Sequence, residues 1–170
     1  MHMILIGFMG CGKTTIAHIL GKQLNKKVID LDAVIPELAG QTIPEIFASE
    51  GEAAFREYEF QALKQTLGED VIIATGGGVV TYGKSYSTLI ELKNRPVYFL
   101  NAPFEKLYKR IQQDENRPLG NQDIEKVRDL YQSRLGKYKA LSDLEVSTLQ
   151  TVEETASEII AHMNRTNHGS

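Results

Sequence analysis

A single cysteine, Cys11, stands in the whole chain, so no intrachain disulfide can form and nothing calls for an oxidising compartment. Positive charge is not in excess either. The 19 Lys and Arg against 22 Asp and Glu leave a formal net charge of −3, which argues against a strongly basic nucleic-acid face and leaves room only for a local basic cluster. No apolar run approaches the roughly 20 residues of a membrane span. The apolar start MHMILIGFMG lacks the basic lead of a signal peptide and reads as a buried first strand. Internal repeats, low-complexity blocks and long linkers are missing. His2, His18, His162 and His168 share no metal-ligand spacing with one another or with Cys11. These absences leave a single cytoplasmic domain, 1–170, without nucleic-acid or membrane partners, monomer-sized and long enough for a real core. The polar ending NRTNHGS is expected to fray.

What is present is an alternation of short apolar runs and longer helical patterns. MILIG, KVIDLD, VIIAT, PVYFL and LEVST read as strands. TTIAHILGKQL carries Ile16, Ile19, Leu20 and Leu24 at helical spacing, and further helices are expected over TIPEIFASEG, EAAFREYEFQALKQTL, KSYSTLIEL, FEKLYKRIQQ, IEKVRDLYQSRLGKYKAL and VEETASEIIAHM. Pro103 marks a helix start, and DENRPLGNQ breaks the pattern with polar residues, Pro118 and Gly120. Strands alternating with helices predict an α/β fold, a parallel sheet covered on both faces, with ligands at the carboxyl ends of the strands.

GFMGCGKT, Gly7 to Thr14, is Gly, four residues, then Gly-Lys-Thr, between the first strand and the first helix. Glycines let successive N–H groups turn inward around phosphate oxygens, and a helix N-terminus aims its positive end at the same place. Lys13 is expected to reach the β and γ phosphates, and the Thr14 hydroxyl to ligate Mg²⁺. The pattern predicts a nucleoside triphosphate and leaves the acceptor open. VIIAT ends in glycines rather than a carboxylate, so the metal carboxylate is sought in Asp30 and Asp32 of VIDLD. If that segment stays extended, alternate residues place both on one face. The bland alternative is two solvated loop aspartates. Arg56, Arg117 and Arg134 would each pass as surface residues. As a set they offer forks for a carboxylate or phosphate. TGGGVV is either a plain strand-to-helix turn or a stretch bare enough for close approach to a substrate.

Together GFMGCGKTT, DLD, GEAAFREYE, TGGGVV, RIQQDENRPL and SRLGKY resemble shikimate kinase, within the nucleoside monophosphate kinase-like group of phosphate-loop proteins. The resemblance runs from the first strand to the last helix. It implies a three-layer α/β/α phosphate-loop kinase fold with a central five-stranded parallel sheet. It implies a substrate-binding segment at about 31–60 and a mobile lid at about 112–123. The implied reaction moves the ATP γ-phosphoryl group to the 3-hydroxyl of shikimate, giving shikimate 3-phosphate and ADP on the way to chorismate and the aromatic amino acids. Carried over by position, Gly10, Cys11, Gly12, Lys13, Thr14, Thr15, Arg110 and Arg117 bind ATP, with Arg110 on adenine and Arg117 on the phosphates. Thr14 and Asp30 serve Mg²⁺, Asp30 through water. Asp32 holds the hydroxyls as base or orienting group. Arg56 and Arg134 clamp the substrate carboxylate, with N–H groups from Gly77 and Gly78. Glu59 orients an arginine, and Phe47, Phe55, Pro118 and Leu119 form apolar walls. Lys13, Asp32 and Arg117 are the expected catalytic residues.

Two departures stand out. Cys11 replaces the usual serine, as a small buried filler or as a thiol of lowered pKa that ATP protects. TLQTVEE lacks a basic residue that some members carry near adenine. The competing readings are a gluconate or nucleotide kinase, a nucleotide-dependent switch, and an assembly subunit with an arginine supplied in trans. The absence of an NKxD-type segment weakens the switch, and an Arg117 borne on the chain's own lid favours action in cis.

Overall fold

The computed structural model describes residues 3–92, 96–113 and 123–168, with side chains to residue 166. Five strands form one sheet: β1 (Met3–Ile6), β2 (Lys27–Asp30), β3 (Val71–Ala74), β4 (Val97–Asn101) and β5 (Leu144–Ser147). Their order is β2-β3-β1-β4-β5 and all pairs are parallel, with Leu5 opposite Ala74 and Ile6 opposite Phe99. The inner strands MILI, VIIA and VYFL are buried throughout because helices cover both faces, whereas the edge strands β2 and β5 leave residues exposed.

Helices α1 (Lys13–Leu24) and α8 (Val152–His168) pack together on one side of the sheet. On the other side lie α4 (Glu52–Thr66), α5 (Gly83–Glu91) and α7 (Ile124–Leu141), which pack together; α6 (Phe104–Gln113) lies against α7. This is the expected three-layer arrangement. Among the described residues no helix is long and apolar enough to cross a membrane.

One expectation fails locally. KVIDLD is not extended to its end: β2 stops at Asp30, and α2 (Leu31–Ala39) begins at the next residue, so Asp32 lies in a first helical turn. The Asp30 carboxylate caps that helix, accepting from the Asp32 N–H at 3.0 Å, and Gly40 ends it in the left-handed region. The next helix, α3 (Ile43–Ser49), starts on a capping box: Thr42 Oγ1 accepts from the Glu45 N–H, and Glu45 accepts from the Thr42 N–H.

Candidate active site

Between β1 and α1 the chain turns through Gly10 at φ 77° and Gly12 at φ 92°, values that L side chains rarely adopt. Gly12 leaves the N-terminus of α1 without a side-chain cap, so its first N–H groups and the positive end of its dipole remain available to an anion. Lys13 Nζ lies along the loop, donating to Gly7 O and, at 3.3 Å, to Phe8 O. Cys11 is buried, its Sγ 3.5 Å from Lys13 Nζ, and its N–H donates to Phe8 O at 3.3 Å. The burial fits the filler reading of this residue.

Next to the loop is a cavity of about 170 Å³ lined by Gly12, Lys13, Thr14, Asp30, Asp32 and Gly77 among others. The two aspartates do share this cavity, though not by strand alternation. Asp30 closes β2 and Asp32 sits two residues on, where the start of α2 turns it to the same opening. Thr75, which sequence reasoning passed over, also lines it; its hydroxyl donates to Leu5 O at 2.8 Å and ties the end of β3 to β1.

Each glycine of the triple run meets a charged side chain. A Cβ on Gly76 would lie 3.0 Å from Glu59 Oε2 and 3.4 Å from Asp32 Oδ1. One on Gly77 would lie 3.7 Å from Arg134 Nη1, and one on Gly78 only 2.2 Å from Arg56 Nη2. The Arg56 guanidinium therefore occupies the space that any other residue at 78 would fill. Arg56 Nη1 donates to Glu59 Oε1 at 2.9 Å, and Arg56 also lies 5.1 Å from the Phe55 ring centroid. Phe47 packs against Phe55 with the rings tilted and their centroids 4.7 Å apart, and remains exposed.

Arg134 and Glu59 are both buried, Glu59 to 1% exposure. Burial pushes the Glu59 carboxyl above the ordinary range. Arg56 opposes this by charge and hydrogen bond, Asp32 repels in the same sense as burial, and Arg134 opposes it. Arg56 Nε, Arg134 Nε and Glu59 Oε2 have no hydrogen-bond partner among the described residues.

At the other end of the phosphate loop a second cavity of about 140 Å³ lies between Gly10–Gly12, Arg110 and the residues after β5, including Thr148, Val152 and Thr155. Arg110 donates to Gly10 O at 2.9 Å and to Thr148 O at 3.3 Å, joining the loop to the end of the last strand. Thr148 and Thr155 were not singled out in the sequence. The turn after β5 was the available signal, since strand ends gather ligands in this class of fold. Tyr138 was also missed. Its hydroxyl donates to Gly77 O, and it lies one helical turn beyond Arg134 on α7. Arg117, Pro118, Leu119 and most of the expected lid lie outside the described residues.

The geometry is that of a phosphate loop and a cavity lined by Asp30 and Asp32, beside a cluster of Arg56, Arg134 and Glu59 around the bare backbone of Gly76–Gly78. The family model for shikimate kinase matches residues 9–164. The chain belongs to the shikimate kinase family. A shikimate kinase of Staphylococcus haemolyticus is 35% identical over 162 residues, covering 95% of this chain and 93% of its own. A solved shikimate kinase from Acinetobacter baumannii, in complex with shikimate, is 31% identical with a TM-score of 0.88, covering 97% of this chain and 93% of that one. A gluconokinase structure from Sinorhizobium meliloti shares only the fold, at 16% identity and a TM-score of 0.62, covering 99% of this chain and 94% of that one. As a shikimate kinase this chain is an ATP-dependent phosphotransferase that makes shikimate 3-phosphate and ADP, a step toward chorismate and the aromatic amino acids.

Proposed function

We propose that the phosphoryl transfer takes place in the cavity between the phosphate loop and the Gly76–Gly78 turn, with the following division of labour. Gly10, Cys11, Gly12, Lys13, Thr14 and Thr15 hold the ATP phosphates, and Arg110 faces the base. Arg56 and Arg134 take the substrate carboxylate as two forks, aided by the N–H groups of Gly77 and Gly78. Asp32 accepts a hydrogen bond from the hydroxyl that receives the phosphoryl group, and Lys13 offsets charge that develops on the transferring group. Asp30 and the Thr14 hydroxyl are oxygen donors on the phosphate side and suit Mg²⁺, which keeps several waters and leans on substrate phosphates rather than on a protein cage. When bound, Mg²⁺ would neutralise charge on the nucleotide phosphates.

One observation carries this reading. Among the described residues, four buried side-chain polar atoms lack a partner, and three of them belong to Arg56, Glu59 and Arg134 around the triple glycine. Buried orphans are rare and costly, and a small acid with several hydroxyls satisfies such a group. The residues at 31–60 that supply Asp32, Phe47, Phe55, Arg56 and Glu59 act as the substrate-binding segment, and 112–123 as the lid that carries Arg117. We also propose a cytoplasmic monomer. The net charge of −3 and one buried cysteine support the absence of nucleic acid and of disulfides.

The test is ADP release from MgATP in a coupled assay without acceptor, with shikimate, and with gluconate and nucleoside monophosphates. Turnover stimulated by shikimate alone is the expected result. Equal stimulation by gluconate would overturn the assignment of the acceptor pocket.

A further inference from the structure

The carbonyl groups of the Gly76–Gly78 turn are all engaged. Gly76 O accepts from the Val79 N–H at 3.2 Å, and Gly78 O accepts from the Thr81 N–H at 3.0 Å and from Thr81 Oγ1 at 2.7 Å. Gly77 O accepts from the Tyr138 hydroxyl. The Gly77 and Gly78 N–H groups, by contrast, meet no acceptor among the described residues. Two of these anchors come from the same short stretch of chain. Only Tyr138 reaches in from another element, and that element, α7, also carries Arg134.

We infer that Tyr138 is a positioning residue for the acceptor, holding the Gly77–Gly78 peptide so that the Gly78 N–H is turned to the substrate. The inference rests on the reading of Arg56, Arg134 and the triple glycine as the substrate clamp. Among the described residues no peptide bond is cis, so the Gly77 carbonyl and the Gly78 N–H point in opposite directions from one rigid plane. Fixing the oxygen therefore fixes the direction of the donor. A glycine pair without such an anchor is free to rotate that plane, because no Cβ limits either residue. Tyr138 is itself held: it is fully buried, and its ring packs on Phe99 of β4 at 5.0 Å between centroids. Burial raises its phenol above the ordinary range, which keeps the hydroxyl protonated as a donor. Gly77 also borders the phosphate loop, since a Cβ there would lie 3.4 Å from Met9 N and 3.6 Å from Gly7 O. The anchored peptide thus sits where the nucleotide loop and the acceptor clamp meet.

Tyr138→Phe keeps the ring and removes only the donor. Expected is a rise of about two- to twelvefold in the shikimate KM, the range for one lost neutral hydrogen bond, with the MgATP KM near wild type and the melting temperature lower by only a few degrees. Tyr138 also lies near Arg134, so the same change is made in Arg134→Ala. If the hydroxyl works through the peptide, the further rise persists in that background. Loss of the effect there, a wild-type shikimate KM in Tyr138→Phe, or parallel rises in both KM values would each overturn the inference. Arg134→Ala with an unchanged shikimate KM would overturn the clamp role of Arg134 separately. In that case a raised KM in Tyr138→Phe still supports the peptide, and a wild-type KM removes both.

Discussion

The space above Gly78 is already taken by Arg56. An added Cβ 2.2 Å from Nη2 cannot be accommodated without moving the guanidinium, and the guanidinium is held by Glu59. Gly78→Ala is therefore expected to raise the shikimate KM at least about tenfold, the size of one lost charge-assisted hydrogen bond. The MgATP KM should change little, and steady-state kinetics with each substrate varied in turn checks both. Lys13→Ala should act on the other coordinate, lowering kcat by about 100-fold or more while shikimate binding, followed calorimetrically, stays close to wild type. The residue identities of this site were legible in the sequence because phosphate loops and arginine forks need particular side chains at short spacing. The partner of Gly77 was not. Tyr138 was present in SRLGKY, but a tyrosine four residues after an arginine says only that both share a helix face.

At the level of the element, the start of α2 stands in two places at once, since Asp30 both caps the helix and lines the cavity beside the phosphate loop. The two separate by substitution. Asn caps as well as Asp, so Asp30→Asn is expected to keep the melting temperature while raising the Mg²⁺ concentration needed for half-maximal rate. Asp30→Ala should show the same metal defect and also lose about 1 kcal/mol of stability, the usual worth of a cap. Thermal melts and a Mg²⁺ titration of both variants decide this. The helix itself escaped the sequence reading for physical reasons. It starts on the residue after the strand with no intervening loop, holds Val34 and Ile35, which favour strands, and contains Pro36. The capped helix α3, with its Thr-x-x-Glu box, was readable because the stop and start signals are written in adjacent residues.

For the whole molecule, the buried Glu59 links stability to pH. Its carboxyl holds a proton more tightly in the folded chain than in the unfolded one, so the native state binds more protons across the window that opens at the ordinary value of 4.5 and closes at the raised one. Stability contributed by this group is complete below that window and is lost as pH rises through it. In Glu59→Gln this slope is absent, so the melting temperature of the variant relative to wild type should climb as pH rises from the ordinary carboxyl value of 4.5. A flat difference across that range would show that Glu59 titrates normally. The sheet was readable strand by strand, because buried parallel strands are continuous apolar runs, but its order was not. That β1 lies between β3 and β4 is set by packing among residues far apart in the chain. The same remoteness shapes the second cavity, whose walls come from residues 10–16, Arg110 and residues 148–155. The walls of that cavity therefore come together only once the sheet has closed from β1 to β5, so its shape reports the completed fold rather than any one segment.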